Sequence, residues 1–166
     1  MSERGTTGTT GTAGMLLTGG RSTRLGVDKA SVDVGGTTLA ERAVATLAST
    51  CRPCVEVGPG HTPWLAVVED PPGAGPLAAL AAGGAALRGL GHHGPAVVLA
   101  VDMPFVDADL VTTLAAHPSP DSVVPVANGR RQVLCARWSG EALAVAAVLV
   151  SEGRRAVRDL LDEVPV

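Results

Sequence analysis

Ala96-Val97-Val98-Leu99-Ala100-Val101 is followed at once by Asp102-Met103-Pro104. A short run that is apolar at every position reads as a strand covered on both faces, the position of a central strand in a parallel sheet. Gly89 to Pro95 before it reads as a turn, and Leu77–Leu87 before that as an Ala-rich helix. Further upstream come a Pro/Gly loop from Pro71 to Pro76, a strand Leu65–Val68 ended by Glu69-Asp70, and a strand Cys54–Val57 ended by Gly58-Pro59-Gly60. Thr38–Ser49 reads as a helix: Thr38 stands three residues before Glu41, the capping-box spacing, and Leu39, Ala43, Val44 and Leu47 form its apolar face. The apolar run from Ala13 to Thr18 is the first buried strand.

Downstream of Asp102, Asp107 or Asp109 opens a helix running to Ala116. Val123–Val126 and Gln132–Trp138 read as two strands around the turn signal Asn128-Gly129, and helices follow at about Gly140–Ser151 and Arg154–Glu163. Strand and helix alternate through the N-terminal two-thirds. That order predicts an α/β fold with a single doubly wound, mostly parallel sheet and right-handed crossovers.

The 166 residues suffice for one domain, expected over residues 13–166 after a flexible Gly/Thr-rich tail at 1–12. Hydrophobic residues make up 46% of the chain but aromatics only 2%, so the core must be built from Ala, Val and Leu. A net charge of −3 gives no general affinity for nucleic acid. No apolar run approaches the roughly 20 residues of a membrane span, and no signal segment precedes Met15, so a cytoplasmic location is expected. Cys51-Arg-Pro-Cys54 follows a helix and opens a strand, the reverse of a thiol redox site, and zinc would need further ligands that only scattered histidines offer. It reads as loop and core cysteine.

In a doubly wound sheet the ligand sits at the carboxyl ends of the strands. Three segments fall there: the loop after Thr18, Asp70 after the third strand, and Asp102 after the central one. The first reads Leu17-Thr18-Gly19-Gly20-Arg21-Ser22-Thr23-Arg24-Leu25-Gly26-Val27-Asp28-Lys29. Its glycines let backbone N–H groups approach a phosphate, Arg24 can fork two donors onto phosphate oxygens, and Lys29 brings a compact positive charge. The set suits a polyphosphate. The plainer alternative is a solvated basic loop. Neither the P-loop spacing nor G-x-G-x-x-G is present here.

This loop, Leu-x-Gly-Gly-x-Ser-x-Arg-x-Gly-x-Asp-Lys, resembles the signature of the molybdenum cofactor guanylyltransferases, with Thr18 where that family usually has Ala and Leu25 where it has Met. Val67-Val68-Glu69-Asp70-Pro71-Pro72-Gly73-Ala74-Gly75-Pro76-Leu77-Ala78 is similar to the family's second motif, and Leu99-Ala100-Val101-Asp102-Met103-Pro104 to its metal-binding one. Gln132 to Ala136 and Gly153 to Leu161 resemble weaker C-terminal motifs, so the likeness runs over about residues 15–163. It implies a Rossmann-like nucleotidyltransferase fold, GTP as donor, and molybdopterin or a similar phosphorylated acceptor. It implies Mg²⁺ as cofactor and, as partners, enzymes of molybdenum cofactor biosynthesis or those that receive the cofactor. No nucleic acid and no membrane are expected as partners. Leu17, Thr18, Gly19, Gly20, Ser22 and Asp70 would bind the nucleotide, Arg24 and Lys29 its phosphates, and Asp102 the metal against the α-phosphate. Arg24, Lys29 and Asp102 would be the catalytic set. The Gly-Gly and Asp-Lys pairs favour guanine over the related CTP- or sugar-phosphate-using transferases. Gly58 stands where the family has Asn, and its Asn-x-Asn-Thr-Pro segment has no counterpart before Val166. A nucleotide-binding module without transferase activity is the reading kept beside the enzyme.

Overall fold

The computed structural model describes residues 11–19 and 28–166. Most of the expected tail therefore lies outside the described residues. Thr12, at its end, is tied into the fold: its hydroxyl donates to the Ala115 carbonyl at 3.0 Å and its own carbonyl accepts from Arg52 N.

In chain order the elements are β1 (Ala13–Leu17), α1 (Leu39–Ala48), β2 (Cys54–Val57), β3 (Leu65–Val67), α2 (Pro76–Gly89), β4 (Ala96–Ala100), α3 (Ala108–Ala115), β5 (Val126–Ala127), β6 (Arg130–Arg131), β7 (Cys135–Trp138), α4 (Gly140–Ser151) and α5 (Val157–Glu163). The main sheet has the order β3-β2-β1-β4-β7. Its first four strands are parallel and β7 is antiparallel to β4. The α/β architecture with a mostly parallel sheet is as the strand–helix alternation predicts.

Alternation along β1 assigns the two layers. Met15 and Leu17 pack with Val55, Val57, Val98 and residues of α2, α4 and α5, while Leu16 packs with Val97, Leu99 and residues of α1 and α3. With aromatics so scarce, close approach replaces bulk. A Cβ on Gly83 would stand 2.5 Å from Met15 Sδ, and one on Gly84 would stand 3.0 Å from Leu143 Cβ. The Gly83-Gly84 pair thus lets α2 lie tight against the sheet on one side and against α4 on the other, at the expense of helix propensity.

Local signals hold where expected. Thr38 and Glu41 form the reciprocal capping box of α1. Asp107 caps α3, its carboxylate accepting from Leu110 N at 2.9 Å. Cys51 and Cys54 are free thiols in and beside the α1–β2 turn; burial, then Cys54, pushes Cys51 up to about 12, and burial raises Cys54 as well. They are packing residues.

Two boundaries differ from the reading above. The hairpin around Asn128-Gly129 extends for only two residues on each side, Val126–Ala127 against Arg130–Arg131, both turn residues having positive φ. Cys135–Trp138 leaves that hairpin for the edge of the main sheet, because Ala136 and Trp138 are needed in the core under α2 and α4. α5 begins at Val157 and not Arg154, after the left-handed turn at Gly153 (φ 86°) and extended backbone at Ala156. Among the described residues no helix is long and apolar enough to cross a membrane.

Candidate active site

The carboxyl ends of β1 to β4 open into a cleft of about 690 Å³, the size range of small-molecule sites. Its floor is made where β1 and β2 end. Thr18 N and Gly19 N both donate to the Val57 carbonyl, at 3.0 and 3.1 Å, and Gly58 N donates to Val67 O at 2.8 Å. The backbones are so close that a Cβ on Gly58 would meet Thr18 Oγ1 and stand 2.8 Å from Gly19 N. Gly58 also has φ 155°, a region that side chains other than hydrogen avoid. The two departures noted at Thr18 and Gly58 are therefore one feature: the threonine hydroxyl occupies the room a side chain at 58 would take.

That hydroxyl donates to Glu56, which is fully buried. The same carboxylate accepts from Gly60 N at 3.0 Å, His61 N at 2.9 Å and Thr62 N at 2.8 Å. Burial alone would push the Glu56 carboxyl up, but the hydrogen bonds from Thr18, His61, Thr62 and Gly60 together hold it below its ordinary value. Glu56 thereby remains an anion inside the protein and fixes the loop from Gly58 to Thr62 against the end of β1. His61 on that loop places Nε2 2.7 Å from Asp28 Oδ2. Asp28 in turn caps the single 3-10 turn Lys29–Ser31 through Ala30 N at 3.0 Å. A continuous set of contacts thus runs from the buried Glu56 to the backbone that carries Lys29.

At the β4 side of the cleft Lys29 Nζ donates to Asp102 Oδ2 at 2.9 Å, both side chains being about half exposed. Asp102 follows the central strand, and since Asp107 caps α3, Asp102 is not a helix cap. At the β3 side the lining acid is Glu69. It is 9% exposed, and its Oε1 accepts from Gly73 N at 2.9 Å. Asp70 is exposed and takes no part in the lining. Both acids lie past the end of β3 at Val67, where the chain turns so that Glu69 is buried and Asp70 exposed.

The cleft therefore brings together Leu17, Thr18, Gly19, Lys29 and Asp102 of the residues singled out from sequence. Gly20, Ser22 and Arg24 lie outside the described residues. Glu69, Pro59 and Leu134 line it without having been singled out, Asp28 of the Asp-Lys pair lines it beside Lys29, and Glu56 supports it from beneath. Among the described residues no group of three or more His, Cys, Asp and Glu side chains gathers around a common point. The described residues alone build no self-contained metal cage. Asp102 fits the other way of holding a hard divalent ion, in which one carboxylate shares it with phosphate oxygens and water.

An open, mostly parallel sheet with a lysine and a carboxylate at the carboxyl ends of its strands is the frame of a nucleotide-binding α/β domain. Residues 14–165 match the family model described as MobA-like NTP transferase domain. The chain belongs to that family, and is a nucleotidyltransferase. It is 37% identical over 161 residues to a Mycobacterium tuberculosis protein named "Probable molybdenum cofactor guanylyltransferase", covering 90% of this chain and 79% of that one. It is 34% identical over 155 residues to the molybdenum cofactor guanylyltransferase of Rhizobium johnstonii, covering 90% of this chain and 74% of the relative. Among solved structures, molybdopterin-guanine dinucleotide biosynthesis protein A from Archaeoglobus fulgidus shares the fold with a TM-score of 0.75 at 23% identity, over 93% of this chain and 80% of that one.

Proposed function

We propose that this chain moves GMP from GTP to the terminal phosphate of molybdopterin or a similar phosphorylated pterin, releasing pyrophosphate. The observation that carries the reading is the cleft's β4 end. There Lys29 and Asp102 stand 2.9 Å apart, one positive and one negative, in the cleft where β1 and β4 end. A triphosphate and a divalent ion are the ligands whose charges match that pair. The guanylyltransferases to which the chain is similar supply the nucleotide and acceptor.

In the reaction an oxygen of the acceptor phosphate forms a bond to the α-phosphorus. The bond from that phosphorus to the α–β bridging oxygen breaks in line, and the electron pair leaves with pyrophosphate. No protein nucleophile is required; positioning and charge neutralisation lower the barrier. Leu17, Thr18 and Gly19 hold the nucleoside through their backbone. Lys29, with Arg24, Gly20 and Ser22 of the same loop, takes the β- and γ-phosphates and neutralises the leaving group. Asp102 holds Mg²⁺, which when bound supplies positive charge to the α-phosphate oxygens. Lys29 turns from Asp102 to the phosphates as they arrive, releasing the carboxylate for the ion. The nucleotidyltransferase domain is residues 13–166, working in the cytoplasm.

Nucleotide preference tests the guanine assignment. Titration calorimetry with Mg²⁺ and each of GTP, ATP, CTP and UTP is expected to give GTP the tightest binding, by about ten-fold or more. Equal affinity for CTP removes guanine from the reading.

A further inference from the structure

We propose that the Glu69 carboxylate selects the base, accepting hydrogen bonds from the adjacent N1–H and N2–H₂ donors of guanine; this rests on the guanine-nucleotide reading above. Strand order supplies the geometry. Glu69 follows β3 and Asp102 follows β4, and in the order β3-β2-β1-β4 these ends are three strand spacings apart, roughly 14 Å. With phosphates at the Lys29–Asp102 end, the nucleoside extends over Gly19 toward Glu69. Lys29 is the basic side chain lining the cleft among the described residues, so the phosphates are drawn to its end and the nucleoside is left at the other.

Glu69 is held for such a task. Gly73 N fixes Oε1 at 2.9 Å. Oε2 lies 4.0 Å from where a Cβ on Gly19 would stand, beside the backbone that ends β1, and among the described residues it accepts no hydrogen bond. An ionised carboxylate only accepts. Guanine offers it two neighbouring donors. Adenine and cytosine would turn a ring-nitrogen lone pair toward it, and uracil flanks its one donor with two carbonyls. A polar group left facing the wrong partner in a desolvated site is what gives large discrimination. Glycine at 19 leaves the space between the carboxylate and the end of β1 free of side chain.

The test compares GTP with inosine triphosphate, which differs only by lacking the 2-amino group, on wild type and Glu69→Gln, by calorimetry with Mg²⁺. Gln keeps the size and one acceptor oxygen for Gly73 N–H. Wild type is expected to bind GTP about ten-fold or more tighter than inosine triphosphate, and Glu69→Gln to shrink that ratio to about three-fold or less. A structural defect would weaken both nucleotides together and leave the ratio intact, so a ratio unchanged in the variant overturns the proposal while leaving the transferase reading in place. A variant whose loss appears instead between GTP and 2′-deoxy-GTP assigns Glu69 to the sugar and also overturns it. Wild type binding CTP as tightly as GTP overturns both readings. Should Glu69→Gln fail to fold, the wild-type preference for GTP over inosine triphosphate and over 1-methyl-GTP decides; no preference overturns the proposal.

Discussion

Asp102→Asn is expected to fold like the wild type and to release pyrophosphate from GTP and molybdopterin slower by orders of magnitude. The variant keeps the shape of the side chain and changes its charge. Its stability should barely move, because the side chain is about half exposed and α3 is capped by Asp107. What is lost in the free protein is an exposed ion pair with Lys29, worth at most about 1 kcal/mol. On the proposed role the reaction should lose far more, since a neutral amide oxygen is a poor ligand for a hard divalent ion, whose charge would offset the negative charge developing at the α-phosphate. Without metal, GTP should bind as well as before or slightly tighter, a carboxylate having been removed from beside the phosphates. A pyrophosphate-coupled assay together with a thermal melt checks both halves. Turnover at the wild-type rate would take Asp102 out of the reaction.

Lys29→Ala is the second large effect. Lys29 is expected to contribute about 1.5–3 kcal/mol to GTP binding, the range for hydrogen bonds to charged groups, which corresponds to roughly 10- to 150-fold in affinity. The melting temperature without nucleotide should stay where it is, because the side chain is half exposed and holds no core contact. Raising the salt concentration should weaken GTP binding to the wild type more than to the variant, since one of the charges being screened is gone. Removing Lys29 also releases Asp102 from its partner, so Mn²⁺ alone should bind the variant no more weakly than the wild type. A variant that binds GTP normally would place the triphosphate elsewhere in the cleft.

Features written within a few neighbouring residues were legible before the fold was known. The continuous apolar run at Ala96–Ala100 marks a strand buried on both faces, and the Thr38–Glu41 pair marks a helix start, because each signal closes inside one turn or one strand. The same is true of Asp102, whose place follows from the strand before it. The hairpin strands around Asn128-Gly129 are a different case. Turn chemistry is local, but whether Cys135–Trp138 continues the hairpin or crosses to β4 depends on where Trp138 is buried. The pair Glu69-Asp70 shows the same limit at single-residue scale. Which acid enters the cleft is set by how the chain turns after β3, where Gly73 N holds Glu69, and two adjacent carboxylates carry no mark of it. Glu56 sits between two valines in a strand and gives no hint that Thr18 and three backbone N–H groups will converge on it. Its donors come from a loop that turns back only after the strand is in place. Gly83-Gly84 inside an Ala-rich helix likewise takes its meaning from Met15 and Leu143, far away in sequence.

The central claim is group transfer, and the most direct measurement follows the α-phosphate. The chain is incubated with Mg²⁺, molybdopterin and GTP labelled at that phosphate, and both the pterin product and pyrophosphate are quantified. The account predicts label in a guanine dinucleotide of the pterin with one pyrophosphate released per dinucleotide formed, and label transfer by Asp102→Asn slower by orders of magnitude. GTP bound tightly with neither labelled dinucleotide nor pyrophosphate appearing would contradict it.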